Sequence, residues 1–154
     1  MSIQIGDKIP VFSVLDYKGN LVSNETLANK NVVIFFYPKD NSPICTTEAC
    51  SFRDSYEEFL KYDCEIVGIS ADSDESHSSF AQKHKLQYTL ISDKNDKLRQ
   101  LFQVPRNLFG LLPGRVTYLV DKKGIIRLIF NSQLYANKHI EQSLNFLKKY
   151  LNTI

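Results

Sequence analysis

Residues 31–50 read Asn-Val-Val-Ile-Phe-Phe-Tyr-Pro-Lys-Asp-Asn-Ser-Pro-Ile-Cys-Thr-Thr-Glu-Ala-Cys and carry the strongest structural signal in the chain. Residues 31–37 form a continuous apolar run, which is typical of a strand buried on both faces of a sheet. Apolar side chains then recur at helical spacing over residues 46–62, so we predict a helix there. Cys45 therefore lies between a buried strand and a helix start, where a side chain meets unpaired backbone N–H groups.

This position favours a reactive form of Cys45. The free N–H groups and the positive end of the helix dipole stabilise a thiolate, the nucleophilic form of cysteine. Pro38 and Pro43 restrict the loop before the sulfur and would hold it in place. A second thiol, Cys50, follows five residues later. In a reducing compartment a close cysteine pair is more often catalytic than structural, because structural disulfides are rare there.

Strands alternate with helices along the rest of the chain. The further elements predicted from apolar periodicity and turn residues are a short hairpin over 11–22, strands over 64–70 and 88–92, helices over 74–84 and 95–102, a hairpin over 115–130 and a last helix over 138–150. This order predicts an α/β fold with a mixed central sheet. We see no linker or repeat, so residues 1–154 are predicted to form one domain.

Composition excludes several classes of partner. The net charge is +2 and no basic stripe is present, so we expect no nucleic-acid partner. No apolar run reaches the roughly 18 residues of a membrane span. The N-terminus has neither signal-peptide nor transit character, so a cytoplasmic protein is expected, with the plastid stroma as the alternative if a transit peptide has been removed. Three cysteines are too few for a secreted disulfide scaffold.

The residues around Cys45 also resemble those of a known family. Pro38-x-x-x-Ser42-x-x-Cys45 is similar to the active-site pattern of peroxiredoxins, and residues 36–54 resemble their Q-type branch, the bacterioferritin comigratory proteins. The similarity continues in order through residues 68–70, 90–93, 112–118 and 138–140, which covers nearly the whole chain. The stretch 107–115 is similar to chloroplast and cyanobacterial members. The resemblance implies a thioredoxin-like fold, with the mixed sheet flanked by helices.

The resemblance also implies a reaction. In peroxiredoxins of this type the thiolate, here Cys45, attacks hydrogen peroxide or an alkyl hydroperoxide and becomes a sulfenic acid. The second thiol, here Cys50, condenses with it to an intramolecular disulfide, which thioredoxin or a similar dithiol reduces by exchange. The resemblance further implies a monomer without metal, haem or flavin. It thus predicts an atypical two-cysteine, thioredoxin-dependent peroxidase that serves antioxidant defence.

Three further residues are expected in the site. Arg115 offers a permanent charge and planar donors that can pair with a thiolate and hydrogen-bond a peroxide oxygen. Ser42 offers a hydroxyl that can accept one hydrogen bond and donate another. Pro38 would shield the sulfur and removes a competing N–H. The family usually has Thr at position 42 and Gly at position 44, so Ile44 is expected to narrow access to the sulfur.

Several other residues are expected to have structural roles. Cys64 opens a predicted strand and is expected to pack in the core. Glu48 is expected to interact with the helix dipole. The histidines are expected to be solvated or to cap helices, and not to bind metal: His77, His84 and His139. Four aromatic residues are expected to build the pocket wall and core: Phe36, Tyr37, Phe52 and Phe109.

Two other functions remain open at this point. A redox-sensing or holdase-like binding protein could use Cys45 and Cys50 as a switch without turnover. A general thiol–disulfide oxidoreductase of thioredoxin type is a second alternative, and the absence of Cys-x-x-Cys counts against it. A shared fold class does not separate these functions. Steady-state consumption of peroxide would separate them.

The spacing of the two thiols carries a geometric prediction. On one regular helix, the Cα atoms of Cys45 and Cys50 would lie roughly 8.6 Å apart, since the rise over five residues is about 7.5 Å. A disulfide tolerates a Cα separation of at most about 6.8 Å. If both residues belong to one helix, the helix start must therefore unwind before the disulfide can close.

Overall fold

The computed structural model describes residues 3–106 and 113–153, with side chains described as far as residue 150. Its strands are β1 (Ser13–Leu15), β2 (Leu21–Ser23), β3 (Asn31–Phe36), β4 (Cys64–Ser70), β5 (Thr89–Ser92), β6 (Val116–Val120) and β7 (Ile126–Asn131). Its helices are α1 (Pro43–Asp54), α2 (Tyr56–Lys61), α3 (Asp74–His84), α4 (Lys97–Leu101) and α5 (Ala136–Thr153), and a 3-10 turn at Lys94–Asp96 precedes α4.

Five of the strands form a mixed central sheet. Their spatial order is β5-β4-β3-β6-β7, in which β3, β4 and β5 are parallel and β6 and β7 are antiparallel to their neighbours. β1 and β2 form a separate antiparallel pair. The α/β class with a mixed sheet is therefore confirmed. None of the helices in the described part of the chain combines the length and hydropathy that a membrane span requires.

Helices and the N-terminal hairpin cover the two faces of the sheet. On β3, Phe35 contributes to a core shared with Phe52 of α1 and Leu144 of α5. Its neighbour Phe36 points to the other face and packs in a second core with Leu98 of α4. This alternation buries every residue of β3, as the continuous apolar run predicted.

The helix that follows the Cys45 loop differs from the sequence prediction in two ways. The helix predicted over residues 46–62 begins earlier, at Pro43, because proline is favoured in the first turn where its missing N–H needs no partner. It is also interrupted at Ser55, which separates α1 from α2. Cys45 thus lies inside the first turn of α1, still beside the unpaired N–H groups of the helix start.

Candidate active site

The pairing of β3 with β6 brings Cys45 and Arg115 together. Phe36 at the end of β3 pairs with Val116 at the start of β6. The loop after β3 and the residue before β6 therefore meet at the same end of these two strands. Arg115 Nη2 donates a hydrogen bond to Cys45 Sγ over 3.1 Å. Cys45 is only 1% exposed and Arg115 only 3%. The predicted sulfur–guanidinium contact is present, in a site almost closed to solvent.

Three acceptors fix the Arg115 guanidinium in one orientation. Nε donates to the backbone carbonyl of Gln133 over 3.0 Å, and Nη1 donates to Glu48 Oε1 over 2.7 Å. Nη2 is then left facing Cys45 Sγ. A planar guanidinium held at several points loses little further freedom when it binds a ligand. The permanent charge of Arg115 is thereby fixed within hydrogen-bond distance of the Cys45 sulfur.

Glu48 is a buried partner of Arg115, which the sequence analysis did not foresee. It lies in the second turn of α1, points inward and is fully buried. Burial raises the pKa of Glu48 to about 7, although the charge and hydrogen bonds of Arg115 act in the opposite direction. The sequence analysis expected only an interaction with the helix dipole, which stays a prediction, and it missed the buried ion pair with Arg115. Glu48 is buried because α1 packs against the sheet and α5.

His139 lies next to Glu48 and is also fully buried. Its Nδ1 is 3.5 Å from Glu48 Oε2, and burial lowers the pKa of His139 to about 4. The same ring contacts Thr117 Oγ1 and the backbone carbonyl of Ser132 at 2.7 and 2.9 Å. The expectation of a solvated or capping histidine was wrong here, because α5 turns this side chain onto the sheet.

Arg99 is a second buried arginine near the site, and the sequence analysis did not single it out. Its Nη1 donates to the carbonyl of Gly114 and its Nη2 to the carbonyl of Tyr37, both over 2.9 Å. It thereby ties the strand end before the Cys45 loop to the segment before Arg115. Position 114 requires glycine, since a Cβ there would collide with the carbonyl oxygen of Pro105. No local sequence signal distinguishes Arg99 from a solvated helical arginine.

A buried polar cluster anchors the loop before Cys45. Asp40 in this loop accepts hydrogen bonds from Tyr37 Oη over 2.6 Å and from His77 Nδ1 over 2.7 Å. His77 Nε2 faces the carbonyl of Ile91 at 3.0 Å. Both ring nitrogens thus face oxygen atoms of the protein. Burial alone would raise the pKa of Asp40, but the hydrogen bonds from His77 and Tyr37 lower it overall.

This cluster also corrects the expectation for His77, which is fully buried and not solvated. The ligand atoms of Asp40, Asp72 and His77 lie within 4.8 Å of one another, close enough to hold a cation. These atoms already hydrogen-bond within the protein, with Asp72 Oδ2 accepting from the Asp40 amide and from Ser70 Oγ. The cluster therefore acts as a structural clamp between the loop and α3.

Ser42 and Pro38 lie in the expected loop, and among the described residues no hydrogen bond joins the Ser42 hydroxyl to the Cys45 sulfur. Ser42 is the N-cap residue of α1, and its hydroxyl donates to the carbonyl of Lys39 over 3.0 Å. It makes no side-chain capping hydrogen bond. Pro38 is half-buried directly after the buried end of β3.

A groove of about 420 Å³ lies beside the first turn of α1. Its lining residues come from α1, from the turn before α5 and from the start of α5: Pro43, Ile44, Thr47, Leu134, Tyr135, Ala136, Asn137, Lys138 and Glu141. Leu134 and Tyr135 are 68% and 65% exposed. Cys45 is not among the lining residues, whereas its neighbour Ile44 is. The effect of Ile44 on access to the sulfur stays a prediction.

The other two thiols differ in their surroundings. Cys50 is half-buried on the same helix as Cys45, and all three cysteines are free thiols. Cys64 begins β4 and is fully buried, and this burial raises the pKa of its thiol far above the ordinary value. A thiol that stays protonated is a poor nucleophile. The packing role predicted for Cys64 agrees with this environment.

The aromatic residues expected in the core are buried where the structure describes them, namely Phe36, Tyr37 and Phe52. Phe35 stacks on Phe52 with ring centroids 4.5 Å apart, directly below α1. Phe109 lies outside the described residues, as do the other members of the stretch 107–112 that contributed to the resemblance.

Comparison with known proteins identifies the family. Residues 5–129 match the AhpC/TSA family. Chloroplastic peroxiredoxin Q of Sedum lineare is 49% identical over 93% of this chain and 77% of its own length. The chain belongs to the AhpC/TSA family, in its peroxiredoxin Q branch. This peroxiredoxin is therefore a thiol peroxidase, which acts on a peroxide with electrons from a thiol reductant.

Solved structures of related peroxiredoxins share the fold. Peroxidoxin BcpB of Mycobacterium tuberculosis superposes with a TM-score of 0.86 at 31% identity, over 96% of this chain and 97% of that chain. The bacterioferritin comigratory protein of Xanthomonas campestris, described for its alkyl peroxide reduction activity, gives a TM-score of 0.81 at 29% identity, over 90% of this chain and 91% of that chain. The predicted thioredoxin-like fold is confirmed by these likenesses.

Proposed function

We propose that this peroxiredoxin reduces hydrogen peroxide and alkyl hydroperoxides through Cys45, and that thioredoxin or a similar dithiol returns it to the reduced state. The observation that carries the proposal is the 3.1 Å hydrogen bond from Arg115 Nη2 to Cys45 Sγ in a site almost closed to solvent. A fixed cation at this distance favours a thiolate, and its donors can also bind a peroxide oxygen. We also propose that residues 1–154 form one domain.

The first step is nucleophilic displacement at the peroxide. The Cys45 thiolate attacks one oxygen, an S–O bond forms and the O–O bond breaks, with its electron pair leaving on the other oxygen. That oxygen takes up a proton and departs as an alcohol or water, while Cys45 becomes a sulfenic acid. Arg115 stabilises the charge that develops on the leaving oxygen. Pro38 shields the sulfur from water, and the Ser42 hydroxyl turns from Lys39 to orient the peroxide.

The second step is resolution by Cys50. Its sulfur attacks the sulfenic sulfur, an S–S bond forms and the S–O bond breaks, and the hydroxyl group leaves as water with the proton of the Cys50 thiol. Cys45 and Cys50 both belong to α1, so the regular-helix separation of roughly 8.6 Å applies to their Cα atoms and exceeds the disulfide limit of about 6.8 Å. The start of α1 must therefore unwind. Contacts that hold this segment include the hydrogen bond from Tyr88 Oη to the carbonyl of Ala49, over 2.8 Å.

Amide hydrogen exchange is expected to detect this unwinding. Residues 46–53 should lose protection when the disulfide forms, because the backbone hydrogen bonds of α1 open over one or two turns. Reduced and peroxide-treated protein would be compared, with the Cys45–Cys50 bond verified by mass. The α3 segment, residues 74–84, serves as the internal control and should keep its protection. Equal protection of residues 46–53 in both states, with the bond present, would rule the unwinding out.

A coupled assay tests the proposed function. We expect steady-state peroxide consumption with a thioredoxin system, and mass spectrometry after one equivalent of peroxide should place the modification on Cys45 and Cys50. A redox sensor or holdase would consume one equivalent and stop. A general thiol–disulfide oxidoreductase would reduce disulfide substrates without using peroxide. Either of these results would replace the present proposal.

We also propose that the protein is a monomer, as the branch resemblance implied. For its location, the cytoplasm remains the expectation from the sequence, and the plastid stroma is the alternative. Support for the plastid comes from relatives that are chloroplastic proteins, such as peroxiredoxin Q of Sedum lineare and of Suaeda salsa. Imaging of a fusion to the full-length gene product would decide between the two compartments.

A further inference from the structure

One oxygen of Glu48 has no hydrogen-bond partner in the part of the chain that the structure describes. Oε1 accepts from Arg115, whereas Oε2 is buried and accepts from no group. A buried carboxylate oxygen without a partner is costly, since nothing replaces the water it has lost. The protonation state of Glu48 therefore matters for this site.

The hydrogen bonds of His139 define what faces that oxygen. Its Nε2 lies 2.9 Å from the carbonyl of Ser132, which can only accept, so Nε2 carries a proton. In the neutral ring Nδ1 is then an acceptor, and the Thr117 hydroxyl donates to it over 2.7 Å. The same Nδ1 lies 3.5 Å from Glu48 Oε2. An ionised Glu48 would point a charged oxygen at this ring nitrogen, whose only lone pair is already used by Thr117, and a proton on Oε2 removes that charge.

That proton resides on the carboxyl group. Burial lowers the pKa of His139 to about 4 and raises the pKa of Glu48 to about 7, so below pH 7 the carboxylic acid is the main form. The other titratable groups around Glu48 are Arg115, Cys45 and Tyr88. Burial raises the pKa of Tyr88 well above its ordinary value, which keeps this phenol neutral. Cys45 and Glu48 are thus the two acids that share one guanidinium.

The charge balance of the site favours one negative group at a time. With both acids ionised, two buried anions would share one cation, and with neither ionised the buried cation would be uncompensated. We propose that Glu48, held against His139, stores a proton while Cys45 is a thiolate and releases it when the sulfur is oxidised. This inference rests on the proposed function and assigns Glu48 and His139 a charge-compensating role in it.

The step balances in atoms and charge. The Cys45 thiolate, the hydroperoxide and the Glu48 carboxylic acid become a sulfenic acid, an alcohol and the Glu48 carboxylate. The sulfenic acid carries no charge, so the Arg115 guanidinium is compensated by Glu48 in place of Cys45. Loss of the charge attraction to Arg115 frees Cys45 to leave its pocket and meet Cys50.

Redox difference infrared spectroscopy tests this proposal. The Cys50→Ser background retains the sulfenic acid, and one equivalent of hydrogen peroxide is the probe. We expect the carbonyl band of one protonated carboxylic acid to disappear on oxidation, with a carboxylate band appearing in its place. The band should be absent from the difference spectrum of Cys50→Ser/Glu48→Gln. Asp93 is a second carboxyl whose pKa is raised by burial, so Cys50→Ser/Asp93→Asn is the matched control and should keep the signal.

The difference spectrum of Cys50→Ser shows whether a carboxylic acid loses its proton on oxidation, even if a Glu48 variant fails to fold. Sulfenic acid formation, verified by mass, without loss of a carboxylic acid band would overturn the proton storage and leave the peroxidase proposal intact. Absence of any sulfenic acid would instead contradict the peroxidase proposal itself. The two failures are therefore distinguishable.

A pH profile provides a second readout that a purely structural role would not change. The carboxylic acid form of Glu48 decreases above pH 7, so the oxidation rate per thiolate should fall there, by up to about tenfold per pH unit. Stopped-flow thiolate absorbance in Cys50→Ser measures this rate. The decline should be absent from Cys50→Ser/Glu48→Gln, whose amide does not titrate. Persistence of the same decline in that variant would contradict the proposal.

Discussion

Cys45→Ser is expected to abolish peroxide turnover with a thioredoxin system. The expected loss is at least about 1,000-fold, since removal of a catalytic nucleophile costs enzymes several orders of magnitude. The physical reason is that the Cys45 sulfur is the thiol hydrogen-bonded by the Arg115 guanidinium, and a serine hydroxyl is not ionised by such an environment at neutral pH. Coupled oxidation of the reductant, with hydrogen peroxide as substrate, measures the effect.

Cys64→Ser is the matched control for this variant. Cys64 is buried at the start of β4, where burial keeps its thiol protonated, so its replacement should leave turnover nearly unchanged. Thermal unfolding of both variants would verify that they are folded. Normal turnover by Cys45→Ser would show that the mechanism is wrong. A total loss of turnover in Cys64→Ser alone would indicate that Cys64 is the nucleophile.

Arg115→Ala is expected to slow the first oxidation by about 100-fold or more. Loss of one donor that stabilises developing charge typically costs a factor of 10² to 10³. The variant also removes the cation that favours the Cys45 thiolate, so the thiolate fraction at neutral pH should fall. Thiolate absorbance against pH and stopped-flow peroxide kinetics measure the two effects separately.

Two further variants sharpen this test. Arg115→Lys restores the charge but not the planar donors that reach Cys45, Glu48 and the Gln133 carbonyl together, so it should recover the thiolate more than the rate. Arg127→Ala is the control, because Arg127 lies on the edge strand β7 and forms a partly exposed ion pair with Asp121. Unchanged thiolate titration and kinetics in Arg115→Ala would remove Arg115 from the site.

Local patterns predicted the scaffold of the site well. The apolar run before Pro38 is buried on both faces, as expected, because every side chain of a central parallel strand meets a packed layer. The helix after the loop was also predicted, since its apolar spacing reflects one buried face. Its start at Pro43 and its break at Ser55 were not, because helix ends depend on the path of the chain outside the helix.

The buried positions of the polar residues near Cys45 could not be predicted from local patterns. Glu48 and Arg99 have charged side chains on helices, and such side chains mostly face solvent. His139 was expected to be solvated or to cap a helix. Their actual partners lie far away in sequence, as in the pair of Glu48 with Arg115, which are 67 residues apart. No periodicity of the chain encodes such a contact.

The sequence by itself determined the α/β class, the order of its strands and helices, the position of Cys45 at a helix start and the resemblance to peroxiredoxins. These features depend on neighbouring residues, whose apolar spacing and loop chemistry act locally. Only the tertiary structure decided that one guanidinium joins Cys45 to Glu48, and that His139 faces the unpaired carboxyl oxygen. The pairing of β3 with β6 and the packing of α5 on α1 create these contacts, because they bring buried charges from distant segments within hydrogen-bond reach.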